Sequence, residues 1–107
     1  MATRREKIEA MLVNEPGDTF LRYSLAMELE KASEHARSLQ MLSELAAEAP
    51  PYIPAYFMAA QQQAKLGEIA EARTVLRNGI EAARRSGDSH AAGEMSEFLA
   101  SLGSLGD

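Results

Sequence analysis

Two stretches of the sequence, residues 20–50 (FLRYSLAMELEKASEHARSLQMLSELAAEAP) and residues 54–84 (PAYFMAAQQQAKLGEIAEARTVLRNGIEAAR), align with each other without a gap at a shift of 34 residues. Identical pairs of positions include Ala26 and Ala60, Lys31 and Lys65, Glu34 and Glu68, Ala36 and Ala70, and Leu42 and Leu76. A fixed period of roughly 20 to 50 residues is typical of proteins built from stacked repeats. The sequence therefore predicts that one structural unit occurs twice.

The local pattern predicts two helices in each copy and about six in the chain. Apolar residues recur at spacings of three and four, which places them on one side of a helix, and no segment shows the sustained alternation of a strand. Asp18 or Thr19 is expected to cap the second helix, and Asp88 or Ser89 the sixth. Gly67 is expected to end the fourth helix in a left-handed conformation. The predicted fold class is all-α.

The flanking segments extend the repeat in both directions. The same shift carries Ile8 to Leu42 and Met11 to Leu45, so the first helix resembles the second half of a unit. Towards the end of the chain the match decays, and Ala60 falls on Glu94, which predicts a capping helix. The predicted organisation is a single domain over 1–107, divided into a half-repeat helix (1–15), repeat 1 (18–50), repeat 2 (52–86), a capping helix (88–102) and a frayed tail (103–107).

A 34-residue unit of two helices resembles the tetratricopeptide repeat family. The best-matching stretches run from Leu25-Ala26 to Pro50 and from Pro54-Ala55-Tyr56 to Ala72, and the resemblance covers about residues 2 to 102. It implies a short right-handed α-solenoid of antiparallel helix pairs. The second copy ends less typically, because Gly79 stands where the family usually has alanine.

The resemblance also implies that the first helix of each pair lines a concave surface. Tyr23, Met27 and Phe57 are expected to form its apolar floor, because aromatic and methionine side chains offer large, adaptable contact area for a helix or an extended peptide. Polar side chains are expected at its edge, where two lysines offer positive charge to an acidic peptide. The predicted partner-binding residues are Phe20, Tyr23, Met27, Lys31, Phe57, Gln61 and Lys65.

Two other interpretations of this surface remain open. Tyr23 and Phe57 fit equally well as residues that pack against neighbouring helices, since such a stripe is more often core than site. Met95 and Phe98 of the last helix fit as side chains that fill the groove and leave only a shallow hollow.

Some members of the family hold the terminal carboxylate of a chaperone with lysine and asparagine side chains. The corresponding positions here are Tyr23 and Met27 in one copy, and Phe57 and Gln61 in the other. None of them carries a positive charge. A chaperone-tail receptor is therefore not predicted.

Residues that support catalysis or metal binding are scarce. The chain has no cysteine, and its two histidines, His35 and His90, have no second histidine three or four residues away that would make a ligand pair. Both are predicted to be surface histidines. Acidic residues at exposed helical spacings are typical of solvated faces. We expect no catalytic residues, no metal site and no cofactor.

Charge and hydropathy restrict the partners. The formal net charge of −5 repels nucleic acid backbones. No apolar stretch approaches the roughly 18 residues that a membrane span needs, and residues 1–7 lead directly into an amphipathic segment, so a cytoplasmic location is expected. The sequence thus predicts a non-catalytic protein–protein interaction module. The alternative is a self-associating scaffold in which the first helix (Ile8, Met11 and Leu12) or the cap docks on a second copy, giving a homo-oligomer.

Overall fold

The computed structural model describes residues 1–103, and these form six α-helices without a strand. The predicted frayed tail beyond Gly103 lies outside the described residues. The helices are α1 (Arg4–Asn14), α2 (Thr19–Lys31), α3 (His35–Ala46), α4 (Ile53–Lys65), α5 (Ile69–Arg85) and α6 (Ser89–Leu102).

Neighbouring helices in the sequence are also neighbours in space. The extensive contacts join α1 to α2, α2 to α3, α3 to α4, α4 to α5 and α5 to α6, while α4 also touches α6. The result is an elongated body of 45 × 30 × 18 Å. This is the predicted all-α solenoid of helix pairs, because a closed bundle would bring the first and last helices together.

The helix starts follow the predicted capping chemistry. The Oδ1 atom of Asp18 accepts a hydrogen bond from the backbone N–H of Leu21 at 2.8 Å, and Asp88 caps α6 in the same way. At α1, Thr3 and Glu6 form a reciprocal capping box that was not anticipated. Each of these side chains satisfies a backbone N–H that has no partner within the helix.

The first helix of each repeat ends in the same turn. Gly67 has φ of 81°, as predicted, and Ser33 at the equivalent position has φ of 61°. In each turn the next residue donates its backbone N–H to a carbonyl five residues earlier, at 2.9 Å from Glu34 to Leu29 and at 2.9 Å from Glu68 to Gln63. This left-handed turn therefore reverses the chain identically in both copies.

The small residues of the repeat lie where helices approach closely. Ala26, Ala60 and Ala72 are fully buried, in agreement with the sequence pattern. Gly79 on α5 has a related role, because a Cβ atom built there would lie 2.6 Å from Met95 Sδ and 2.7 Å from Tyr56 Cβ. Contact between α4, α5 and α6 thus explains why this position departs from the usual alanine.

The prediction for one histidine was wrong. His35 is half-buried at the start of α3, and its Nδ1 atom lies 2.7 Å from the Oε1 atom of Gln62 on α4. His90 is exposed, as predicted. The error has a simple cause, since Gln62 is brought to His35 only when α4 packs beside α3.

The length and apolar character of the helices bear on the prediction that the chain lacks a membrane span. Among the helices in residues 1–103, the structure contains none that is both long and apolar enough to cross a bilayer.

Candidate functional site

A hollow of about 330 Å³ opens on the side of the solenoid formed by α2, α4 and α6, and we call it the front hollow. Its volume lies at the lower end of the range for ligand pockets. Three successive first-position helices thus contribute to one surface. The lining residues are Tyr23 from α2, Ile53, Pro54, Phe57, Met58 and Gln61 from α4, and Asp88, His90, Ala91, Glu94 and Met95 from α6 and its cap.

The two aromatic rings of the front hollow also pack against neighbouring side chains. The ring of Tyr23 meets that of Tyr52 edge-on, with 5.2 Å between centroids and 66° between planes. The ring of Phe57 lies 5.7 Å from that of Phe98 at 55°. Such arrangements are favourable for aromatic pairs. Packing therefore holds both rings in place, yet each still borders the hollow.

The last helix narrows the front hollow without filling it. Met95 is fully buried and forms part of its wall, and Phe98 rests against Phe57. Met95 and Phe98, which one interpretation of the sequence expected to fill the groove, thus both contact this region. The remaining space is nevertheless large enough to receive a side chain from another molecule.

Burial affects the ionisation of Tyr23. Loss of hydration raises the pKa of its hydroxyl, and the electrostatic influence of Tyr52 and the negative charge of Glu30 raise it further. The hydroxyl therefore stays protonated at neutral pH. In this form it can donate a hydrogen bond to a ligand.

The predicted surface residues divide into two groups. Tyr23, Phe57 and Gln61 line the front hollow. Phe20 and Met27 do not line it: Phe20 is 66% exposed at the start of α2, and Met27 is half-buried. The structure therefore brings together three of the seven predicted side chains.

The predicted lysines also lie outside the front hollow. The Nζ atom of Lys31 is 3.1 Å from a carboxylate oxygen of Glu28, and that of Lys65 is 4.0 Å from one of Glu30. Both lysine side chains are exposed and are paired with acidic residues of α2. Their positive charges therefore lie next to carboxylates of α2 and not in the lining of the front hollow.

The charged groups that line the front hollow are acidic. The Oδ1 atom of Asp88 accepts a hydrogen bond from the backbone N–H of Ala91 at 3.0 Å, which caps α6. Glu94 lies one helical turn after the exposed His90, and its Oε1 atom is 3.4 Å from the Nε2 atom of that histidine. Neither lysine nor arginine is among the lining residues. The edge formed by α6 therefore carries two carboxylates and no lysine or arginine.

A second hollow of about 290 Å³ lies on the opposite helices α3 and α5, above α4, and we call it the back hollow. Ala46, Ala55, Ala59 and Val75 give it an apolar lining. The Oε1 atom of Gln63 is buried there without a hydrogen-bond partner. Tyr56 is the one aromatic side chain among the lining residues of the back hollow, whereas Tyr23 and Phe57 both line the front hollow.

Acidic and histidine side chains are not arranged as a metal site in residues 1–103. No group of three or more potential histidine, aspartate or glutamate ligands comes together within that range.

Comparison with solved structures identifies the fold. A tetratricopeptide repeat domain protein from Salinibacter ruber is 29% identical, with a TM-score of 0.77, and the match covers 84% of this chain and 91% of that one. A protein from Bordetella parapertussis is 26% identical, with a TM-score of 0.79, and the match covers 95% of this chain and 89% of that one. No family model and no curated protein matches the sequence. The chain has a tetratricopeptide-repeat fold.

The tetratricopeptide repeat period accounts for lining residues that the sequence analysis missed. Applied twice, the 34-residue shift relates Tyr23 to Phe57 and then to Ala91, and all three line the front hollow. It also relates Gln61 to Met95, which line it as well. The 34-residue period therefore continues into α6. Polar residues there, such as Glu94 at the position equivalent to Ala60, led to the prediction of a capping helix alone.

Proposed function

We propose that this tetratricopeptide-repeat protein is an interaction module that holds a peptide segment of a partner protein in the front hollow. The observation that carries the proposal is the joint lining of one open hollow by three successive first-position helices. Such a hollow offers one anchoring point on a longer groove. A peptide laid along α2, α4 and α6 would insert a side chain there and contact the helix surfaces on either side.

The chemistry of the lining supports a binding role. Tyr23 and Phe57 are aromatic, and Met58 adds a flexible, polarisable side chain, so the hollow gives contact area to an apolar group. The net charge of −5 favours a protein over a nucleic acid as partner. We propose that the module works without catalysis, by positioning its partner.

The test is a crosslinking pull-down from lysate with the wild type and with two altered forms. Tyr23→Ala combined with Phe57→Ala removes the aromatic floor, and Gln61→Trp occupies the hollow without removing packed side chains. Phe20→Ala is the matched control, because Phe20 is aromatic and exposed on α2 but does not line the hollow. Partners retained by the control and lost by both altered forms support the proposal. Equal recovery by all forms refutes the assignment to this hollow, provided that circular dichroism shows the same helix content.

Self-association through α1 is a second candidate function. Met11 is 47% exposed and Val13 80% exposed, whereas Leu45, the repeat equivalent of Met11, is fully buried. The difference arises because α3 lies between α2 and α4, while α1 makes its extensive contacts with α2. Ile8, which the sequence pattern placed on this surface, is instead buried against Leu25 and Leu29 of α2, so Met11 and Val13 are the exposed apolar side chains that α1 offers to a second copy.

Light scattering tests this second candidate. Self-association through α1 predicts a mass above that of the monomer at high concentration, and a return to the monomer mass after Met11→Glu with Val13→Glu. Both positions are exposed, so the helix tolerates the change. A monomer at every concentration, or a dimer that these changes leave intact, removes the candidate.

A further inference from the structure

We infer that the segment held in the front hollow is cationic: a large apolar side chain enters the hollow, and a lysine or arginine beside it pairs with Asp88 and Glu94. This inference rests on the proposed function and specifies the partner. The sequence left the identity of the partner open and noted only that Lys31 and Lys65 offer positive charge to an acidic peptide.

The first support is the charge on the α6 edge. Asp88 and Glu94 line the hollow together with His90, whose side chain is 87% exposed. Asp88 uses one carboxylate oxygen to cap α6 and keeps a second one for a ligand. An incoming cation therefore meets two carboxylates, which stand six residues apart at the start of α6.

The second support is the pairing of the nearby cations. Lys65, the basic residue of α4, is oriented towards Glu30, and Lys31 at the end of α2 is oriented towards Glu28. The charges of Lys31 and Lys65 are thus compensated by carboxylates of α2. An acidic peptide would meet the carboxylates of Asp88 and Glu94 instead, which is unfavourable.

The third support is the match between the lining and a large apolar side chain that has a lysine or arginine beside it. Ile53, Phe57 and Met58 suit an aliphatic or aromatic anchor, and the volume of about 330 Å³ suits a side chain rather than a whole helix. The ring of Tyr23 offers a face to a neighbouring guanidinium or ammonium group. The overall charge of −5 also steers a cationic segment towards the protein.

The experiment begins with selection of short random peptides on the wild type, with counter-selection on the Tyr23→Ala, Phe57→Ala form. We expect enriched peptides to share a large apolar residue with lysine or arginine close by. Enrichment of neutral or acidic peptides would overturn the inference while the proposed function stands. If no peptide distinguishes the wild type from the altered form, the proposed function fails as well.

A matched pair of charge changes then tests the two carboxylates with one synthetic peptide from the selection. Asp88→Asn with Glu94→Gln removes both charges, and asparagine preserves the helix cap. We expect affinity to fall about threefold to tenfold, and less so at high salt. The control is Glu71→Gln with Glu97→Gln, which makes the same change in net charge at exposed positions outside the hollow.

Two results of the charge series would contradict the inference. An equal loss of affinity in the control would mean that the total charge acts, and not the α6 edge. Peptide-induced NMR shifts centred on Gln63 and Val75 would place the peptide in the back hollow. The inference is supported if the shifts centre on Phe57 and Ala91 and if affinity is lost with Asp88→Asn and Glu94→Gln but not with the control.

Discussion

The Nε2 atom of Gln62 on α4 donates a hydrogen bond to the Oγ atom of Ser38 on α3 at 3.1 Å, and both side chains are fully buried. Ser38 in turn donates its hydroxyl hydrogen to the backbone carbonyl of Ala26 on α2 at 2.7 Å. Because the Nε2 atom of Gln62 faces Ser38, its Oε1 atom faces His35, whose Nδ1 must carry the hydrogen of that contact. One directed chain of hydrogen bonds therefore joins three helices across the two repeats.

Replacing Ser38 by alanine should destabilise the protein. The change leaves the Nε2 group of Gln62 buried without its acceptor, and an unsatisfied buried polar group costs about 1 to 3 kcal/mol. Urea denaturation followed by circular dichroism measures the free energy of unfolding. A loss below about 0.5 kcal/mol would show that water or a rearranged amide replaces Ser38.

The double change Ser38→Ala with Gln62→Leu should recover part of this loss. Leucine removes the amide donor that Ser38→Ala leaves unsatisfied, and the Nδ1–H of His35, which loses its acceptor, is only half-buried and can bind water. The double mutant should therefore be more stable than the sum of the single changes predicts. Strict additivity in the same denaturation experiment would contradict coupling between the two side chains.

Gly79→Ala should destabilise the junction of α4, α5 and α6. The added Cβ would lie 2.6 Å from the sulfur of Met95 and 2.7 Å from the Cβ of Tyr56, so the helices must separate. Overpacking of this kind costs about 1 to 3 kcal/mol, which exceeds the gain of about 1 kcal/mol in helix propensity. Thermal denaturation should show a lower melting temperature.

Gly93→Ala is the matched control on α6. No atom lies within 4 Å of the added Cβ, and the position is exposed inside a helix. The same chemical change should therefore stabilise the protein by about 1 kcal/mol. If both substitutions shift the melting temperature in one direction, steric contact does not explain the glycine at position 79.

Exchanging the residues of the two equivalent turns should have opposite effects. Ser33→Gly relieves a left-handed conformation that is unfavourable for a residue with a Cβ, and should stabilise the protein by about 0.5 to 1 kcal/mol. Gly67→Ser introduces the same strain and should cost a similar amount. Chemical denaturation of both variants checks the sign. A destabilising Ser33→Gly would mean that the serine side chain contributes more than the strain costs.

The capping box at α1 should appear as a shifted titration of Glu6. Hydrogen bonds from the backbone and then the side chain of Thr3 lower the pKa of Glu6. The cap is therefore fully formed above the ordinary glutamate pKa and is lost as the pH falls through the lowered one. Carbon-13 NMR should show that Thr3→Ala raises the pKa of Glu6 towards its ordinary value. An unchanged titration would mean that the box does not persist in solution.

Much of the fold followed from local patterns. The apolar spacing predicted six helices, and Asp18, Asp88 and Gly67 act at their ends as expected, because capping and left-handed turns depend on a few adjacent residues. The predicted surface was less accurate. Phe20 and Met27 share a helix with Tyr23 but do not reach the front hollow, since helical spacing alone does not tell which part of an exposed face meets the next helix.

The sequence by itself determined the repeat, the helices and the small residues that allow them to stack, because these features depend on spacing along one chain segment. Only the tertiary structure decided the character of the front hollow. Its surface combines side chains from three helices, and its charge depends on Lys65 lying near Glu30 while Glu94 stays at the edge. Such relationships arise from the angles at which helices pack, which are set by contacts between residues far apart in the sequence.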